Sequence, residues 1–511
     1  MSKKILLNTK RIMHHVSKEL LAHQFEVGIW LIISAFYIVN VIPLALHGPF
    51  NADEGWYLYN AWQTWEGRVP YLDFAFPQPP ATLIIHGFFQ EFFGPGFYLG
   101  RLINAGLSFL AIAAFASASR RLWGVLAGVC TGLILVASPL WLLHSVSVST
   151  YATAALFLGL ELLAIAYKRP WLVGFLAVSA MSARLTIAPT ALLLFIPIFF
   201  TSFRLKTLFQ IVAGCICALT IIVAPLAIIA PQKAWINIIG YHTYMRAGLA
   251  TSSIERHVEV IMPFLQEQYL PVYQWFWIAA LVGVILAVRR DRTSGVVSAA
   301  ILTTVFINAL LHATAINATY DVPLIPLLVV AASSGIGFSI SSLTSSWQRR
   351  AAFTVVAVVC IGILTYSQAF LALGEGEREE GHTNIHRLAQ YIQSHTTPDE
   401  YIFTPELYVA VEAQRRSLPG SELGRFFYFP ELTDAEAQKR GVVNDDLFTQ
   451  MVTSRHAKYI VVSMAQFWNN VTDHEHQHQL MSVFDKAGYV PVLELQKEHP
   501  AIEATRLYER Q

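Results

Sequence analysis

Residues 27–46 read VGIWLIISAFYIVNVIPLAL, a run without a single charge, and residues 47–80 read HGPFNADEGWYLYNAWQTWEGRVPYLDFAFPQPP. The first stretch is long and apolar enough to cross the hydrocarbon core of a bilayer as a helix, which takes about 17–25 residues. The second is dense in acids, aromatics and prolines, and it leads back into apolar sequence. An apolar span followed by a long, residue-specific polar loop is the start of a polytopic membrane protein.

The chain continues that pattern. Further spans are expected near 97–119, 122–143, 151–167, 207–230, 271–288, 294–311, 322–340 and 351–370. The stretch 171–203 carries Arg184 near its middle and is too long for one crossing, so it is read as a hairpin of two short helices. That gives about eleven transmembrane helices. Residues 80–93 (PATLIIHGFFQEFF) are shorter, hold His86 and Glu91, and fit a helix lying in the interface.

Composition agrees. Of 511 residues, 55% are hydrophobic and 14% charged, with a mean hydropathy of +0.48. Soluble proteins carry about 25% charged residues, so this chain has too few to cover several soluble domains. A formal net charge of +1 offers nothing to a nucleic acid. That near-neutrality is a cancellation. Residues 1–370 hold 22 Lys/Arg and 13 Asp/Glu, whereas residues 371–511 hold 13 and 21. The composition boundary divides the chain into a multi-span domain, 1–370, and a soluble domain, 371–511.

Positive residues orient the chain, because cytoplasmic loops are enriched in Lys and Arg. With the N-terminus inside, the inner segments hold 16 such residues, among them Arg120, Arg121, Arg289, Arg290, Arg349 and Arg350. The outer segments hold six: Arg68, Arg101, Arg184, Lys233, Arg246 and Arg256. The expectation is a multi-pass protein of the cytoplasmic membrane, N-terminus cytoplasmic and C-terminal domain extracytoplasmic. Residues 1–20 are read as retained, since a small-residue cleavage site does not follow the first apolar run. All four cysteines (Cys130, Cys215, Cys217, Cys360) fall in expected spans, and a metal pair is not read from them.

Two outer loops are long, 47–96 and about 231–270, and such loops usually carry function. In the first, Asp53 and Glu54 are followed by Trp56, Tyr57, Tyr59, Trp62 and Trp65, then Arg68, Tyr71 and Asp73. One reading of the acid pair is a helix N-terminus, where carboxylates favour the dipole; residues 54–66 look helical, and this accounts for one acid. The other is a general base at the membrane surface, poised by an aromatic rim.

The loop resembles the first external loop of the GT-C glycosyltransferases, in the branch of protein O-mannosyltransferases and lipid A aminoarabinose transferases. The matching residues are Asp53-Glu54-Gly55 with Tyr57, Gly67-Arg68-Val69-Pro70-Tyr71 with Asp73, Pro79-Pro80, Gly94 and Arg101. The resemblance implies a GT-C helical membrane protein with a C-terminal extracytoplasmic α/β domain. It implies inverting transfer of a sugar from a polyprenyl-phosphate carrier to an acceptor hydroxyl of a protein, lipid or glycan. By the same resemblance Asp53 is the base, and Glu54 places the base or the acceptor.

A departing carrier phosphate needs positive partners, Arg above all. Arg101 opens the second span on the outer side. Arg184 sits at the outer tip of the hairpin, at a depth where a charge is expensive and usually functional. Tyr71, Asp73, His242 and Tyr320 complete the candidate substrate contacts. Relatives carry an Arg-Tyr pair near the last of these, where this chain has Tyr320-Asp321. They also carry an acid after the third span, where this chain has only the hydroxyl-rich HSVSVSTY (144–151). Glu161 is an acid deep in the fourth span without an assigned role.

In the C-terminal domain, 386–396, 448–456 and 478–488 read as helices, and 401–405, 458–464, 489–496 and 504–510 as strands. Alternation suggests an α/β domain with a partly parallel sheet. The run DHEHQHQ (473–479) is read as a solvated helix start rather than a metal site. No cofactor is assigned, and a divalent cation stays open. The alternatives are a transporter or flippase of lipid-linked sugars, which would favour internal repeats and mid-membrane polar groups, and an inactive GT-C-like scaffold.

Overall fold

The computed structural model describes residues 27–49, 51–198, 205–241, 270–312, 322–342, 345, 347, 375–454, 456–463, 474–495 and 505–511. The expected span 351–370, His242 and Tyr320 lie outside the described residues.

Helices dominate. α1 (Val27–His47), α2 (Ala52–Trp65), α3 (Ala81–Phe93), α4 (Phe97–Trp123), α5 (Val125–Ala137), α6 (Pro139–Val146), α7 (Thr150–Ala166), α8 (Pro170–Ala183), α9 (Leu185–Ile198) and α10 (Leu205–Ile229) follow one another. α11 (Leu270–Arg290), α12 (Arg292–His312) and α13 (Ile325–Ser342) complete the apolar set. Among the described residues α1, α4 and α10 are long and apolar enough to cross a membrane, and α5 with α6, bent by 69°, makes a fourth if the pair is one span. Apolar side chains on these helices face outward: Leu31 is 65% and Val39 70% exposed. In water that exposure would be costly; against lipid it is not.

α3 shows the inversion most clearly. Ile84, Phe88, Phe92 and Phe93 are exposed, whereas Thr82, His86 and Gln90, four residues apart, are buried. A helix with its polar stripe inward is turned inside out relative to one from a soluble protein. Burial pushes the His86 imidazole down to about 4, so it is neutral at physiological pH.

The C-terminal part begins with α14 (Glu375–His395) and carries a four-stranded sheet. β1 (Tyr401–Phe403) precedes the short helix α15 (Leu407–Ala413); β2 (Ala457–Ser463), β3 (Tyr489–Leu495) and β4 (Thr505–Arg510) follow. The sheet order is β1-β2-β4-β3. β1 pairs with β2 in parallel (Ile402 opposite Tyr459), and β4 runs antiparallel to both β2 (Val461 opposite Leu507) and β3. Helices Asp434–Arg440, Asp445–Thr453 and His474–Lys486 flank it. In the last of these, His476 meets Asp445 and Tyr428. A cluster of three or more metal-binding side chains does not form among the described residues.

Besides a core within each part, a third buried cluster joins the two. Trp56, Tyr57, Leu58 and Tyr59 of α2 share one buried cluster with Leu407, Val409 and Ala410 of α15 and with Tyr459 and Val461 of β2. Polar contacts seal this junction. The Tyr59 hydroxyl accepts from Ser417 N–H at 2.9 Å, the Asn60 amide donates to Glu422 O at 2.8 Å, and Arg68 pairs with Glu422 at 2.6 Å. Gly55 makes the approach possible, since a Cβ there would stand 2.3 Å from the Tyr408 backbone nitrogen. Gly55→Ala is therefore expected to cost about 1–3 kcal/mol. It should lower the melting temperature of purified protein and speed proteolysis within 407–425.

Candidate active site

The first turn of α2 sorts the two acids. Asn51 caps the helix, accepting from Asp53 N–H at 3.0 Å, and its own N–H donates to the Glu54 carboxylate at 3.0 Å. This reciprocal capping box accounts for the helix start. Consecutive helical residues point about 100° apart, so Glu54 faces the helix bundle.

There Glu54 is saturated. Oε1 accepts from Arg101 at 2.7 Å as well as from Asn51, and Oε2 accepts from Arg101 Nε at 2.9 Å and from Val148 N–H at 3.0 Å. Both side chains of the pair are fully buried. Arg101 also donates to the carbonyls of Gly48 at 3.1 Å and Pro49 at 2.8 Å, with longer contacts to Leu44 and Ala45. Its guanidinium lies 4.5 Å from the Phe97 ring centroid. The sequence reading offered Arg101 to a phosphate. In the structure its guanidinium lies on Glu54 and on the carbonyls ending α1, which tie the start of α4 to the segment entering α2.

Asp53 has the opposite environment. It is half-buried, its Oδ1 accepts a 3.3 Å hydrogen bond from Trp56 Nε1–H, and it forms no ion pair among the described residues. Burial raises its carboxyl above the usual carboxylate value of 3.8. The Trp56 hydrogen bond and the nearby charges of Arg184 and Arg425 pull the other way, and Glu54 adds to the rise. A carboxylate with open acceptor capacity and raised basicity is suited to take a proton.

Arg184 stands in the break between α8 and α9, its backbone extended (φ −151°, ψ 115°). Its guanidinium donates to the hydroxyls of Thr150 and Thr186, each at 2.9 Å, and lies 4.7 Å from the Tyr151 ring centroid. The chain therefore spends the 144–151 segment on this site, through Thr150, Tyr151 and the Val148 N–H on Glu54. Its hydroxyl-rich composition was noticed in the sequence; that use was not.

Tyr71 and Asp73 shape the loop. Tyr71 adopts a left-handed conformation (φ 69°), with its ring buried and its hydroxyl donating to Gln78 O at 2.8 Å. Asp73 accepts from Val69 N–H at 2.6 Å, closing the turn. Arg68 binds Asp73 O and Glu422. These contacts hold the loop against the C-terminal part. In the second long loop, the Tyr241 ring meets Phe429 edge-on at 6.2 Å, and Asn237 accepts from Phe76 N–H at 2.9 Å.

The sequence reading left open a part for the C-terminal domain in selecting the acceptor or closing over the site, but named none of its residues. Arg425 makes a two-pronged pair with Glu406 (Nε to Oε1 3.0 Å, a terminal nitrogen to Oε2 2.8 Å). Tyr408 hydrogen-bonds with both. Nothing local in SELGRFFYFP (421–430) marks Arg425, because its neighbours are contributed by distant segments.

No protein-family model and no curated protein sequence matches the chain. Solved structures do. ArnT from Cupriavidus metallidurans bound to undecaprenyl phosphate superposes with a TM-score of 0.66 at 15% identity, covering 95% of this chain and 98% of that one. Its apo form gives 0.65, at 15% identity over 96% and 98%. The apo oligosaccharyltransferase of Archaeoglobus fulgidus gives 0.50 at 11% identity, covering 94% of this chain and 74% of that one. The chain has the GT-C fold. Within that GT-C fold, the Asp-Glu turn packs on the sheet-bearing C-terminal part and is linked through Val148 and Thr150 to the break at Arg184.

Proposed function

We propose that this protein is an inverting glycosyltransferase. It would move a sugar from a polyprenyl-phosphate carrier to the hydroxyl of a protein, lipid or glycan acceptor, at the outer face of the cytoplasmic membrane. The observation that carries this reading is the division of labour in one helical turn: Glu54 is consumed by Arg101, while adjacent Asp53 keeps open acceptor capacity beside a guanidinium held by hydroxyls. The fold shared with a protein whose structure holds undecaprenyl phosphate supports a lipid-phosphate donor.

In the proposed reaction the acceptor oxygen attacks the anomeric carbon, and its proton passes to Asp53. The bond between that carbon and the phosphate oxygen breaks, and the electron pair leaves with the carrier phosphate. Arg184 is the proposed counter-charge, since phosphate is well matched by guanidinium. His242 and Tyr320 remain proposed substrate contacts. Eleven crossings, a cytoplasmic N-terminus and an extracytoplasmic domain over 371–511 are part of the proposal, supported by the distribution of positive residues.

Purified protein in lipid nanodiscs, given a panel of labelled polyprenyl-phosphate sugars and scored for free carrier phosphate, tests the reading. Release with at least one donor is expected. Movement of intact donor across the bilayer without release would replace the enzyme by a flippase.

A further inference from the structure

The contact between the C-terminal part and α2 falls at the base itself. Gly55, two residues after Asp53, packs on the backbone of Tyr408; Gly424, in a left-handed conformation (φ 58°), lies so near Trp56, the residue whose indole binds Asp53, that a Cβ on it would stand 3.7 Å from Trp56 Cβ. Arg425 follows Gly424, and its side chain is 13% exposed in its pair with the buried Glu406. An arginine held by two hydrogen bonds to one carboxylate is fixed in direction. This one is fixed within electrostatic reach of Asp53 without an ion pair to it.

We propose that the C-terminal part belongs to the active site and contributes Arg425 as a positioning residue, which Glu406 holds in place to supply positive charge to Asp53. This rests on the reading of Asp53 as base only for its catalytic consequence; the charge relation itself does not need it. Three sources of charge then converge on the base. Glu54 comes from its own helix, with Arg101 behind it. Arg184 comes from the α8–α9 break, with Tyr151 and Tyr57 beside it. Arg425 comes from the C-terminal part, with Glu406 and Tyr408. The arrangement makes the chemistry conditional on docking of the C-terminal part, because an undocked site loses one of its two nearby guanidinium charges.

The test reads Asp53 directly. Carbodiimide couples to protonated carboxyls, so the pH dependence of Asp53 labelling, followed by mass spectrometry on full-length protein, gives its titration midpoint without turnover. Arg425→Gln is expected to move the midpoint up by about half a pH unit or more, which is roughly 0.7 kcal/mol. Arg425→Lys should stay near wild type. Should the glutamine variant not accumulate, Arg425→Met makes the same test with the same sign, since it too removes the guanidinium charge. An unmoved midpoint in these variants would overturn the proposal. The acidic limb of kcat/KM should follow the midpoint; a midpoint that moves while the limb does not would leave the inference standing and remove Asp53 as base.

Discussion

Asp53→Asn lowers sugar transfer by about 10²–10⁴-fold, the usual contribution of a general base, with little change in donor KM. Asparagine keeps an oxygen for the Trp56 indole but cannot take the acceptor's proton. The fold should survive the change, because Asp53 supports no ion pair among the described residues. Its folded carboxyl is raised above the usual value, chiefly by burial. A raised acid is favoured in its protonated form, so whatever stability it contributes is present at low pH and lost as pH rises through the folded value. At neutral pH the ionised Asp53 is therefore a burden on the fold, and Asp53→Asn should match or slightly exceed wild type in thermal stability while losing activity. The wild-type rate should rise with pH through a limb above the ordinary carboxylate range. Retention of wild-type transfer in the asparagine variant would remove Asp53 from its role.

That asymmetry between two neighbouring acids explains what could be read in advance. The α1 span is legible because a charge-free run of that length has few other fates. The α2 helix is legible because acids at 53 and 54 favour a helix start; the Asn51 cap that sets its first turn comes from the structure. Arg184 stood out because a charge inside an apolar stretch demands an explanation. Arg101 was visible as a charge at the mouth of a span, yet its partner was not, because sequence gives a residue's position along the chain and not its phase about the helix axis. Asp53 and Glu54 are chemically alike; the turn between them sends one to the bundle and the other to the site. Arg425 was illegible for a simpler reason. It reaches the site through long-range packing of Gly424 on Trp56 and of Tyr408 on Gly55, contacts that leave no local periodicity.

Removing either half of the Glu54–Arg101 pair carries the largest expected cost in stability. Breaking a buried ion pair by deleting one partner costs about 3–5 kcal/mol, since the survivor is left charged and desolvated. Glu54→Gln and Arg101→Met are each expected to fall in this range, read as a large drop in melting temperature and in monodisperse yield from detergent. Replacing both partners by apolar residues is often neutral for isolated buried pairs. Here the double variant Glu54→Leu/Arg101→Met should recover only part of the loss. Arg101 also satisfies the carbonyls of Gly48 and Pro49, and Glu54 satisfies the N–H groups of Asn51 and Val148. The double variant removes these four hydrogen bonds, each a loss of about 1–3 kcal/mol where water cannot replace it. A double variant as stable as wild type would mean that the pair answers only to itself. Persistent instability would mean that it is the clasp joining the end of α1, the start of α4 and the segment before α7, and activity should then fall with it.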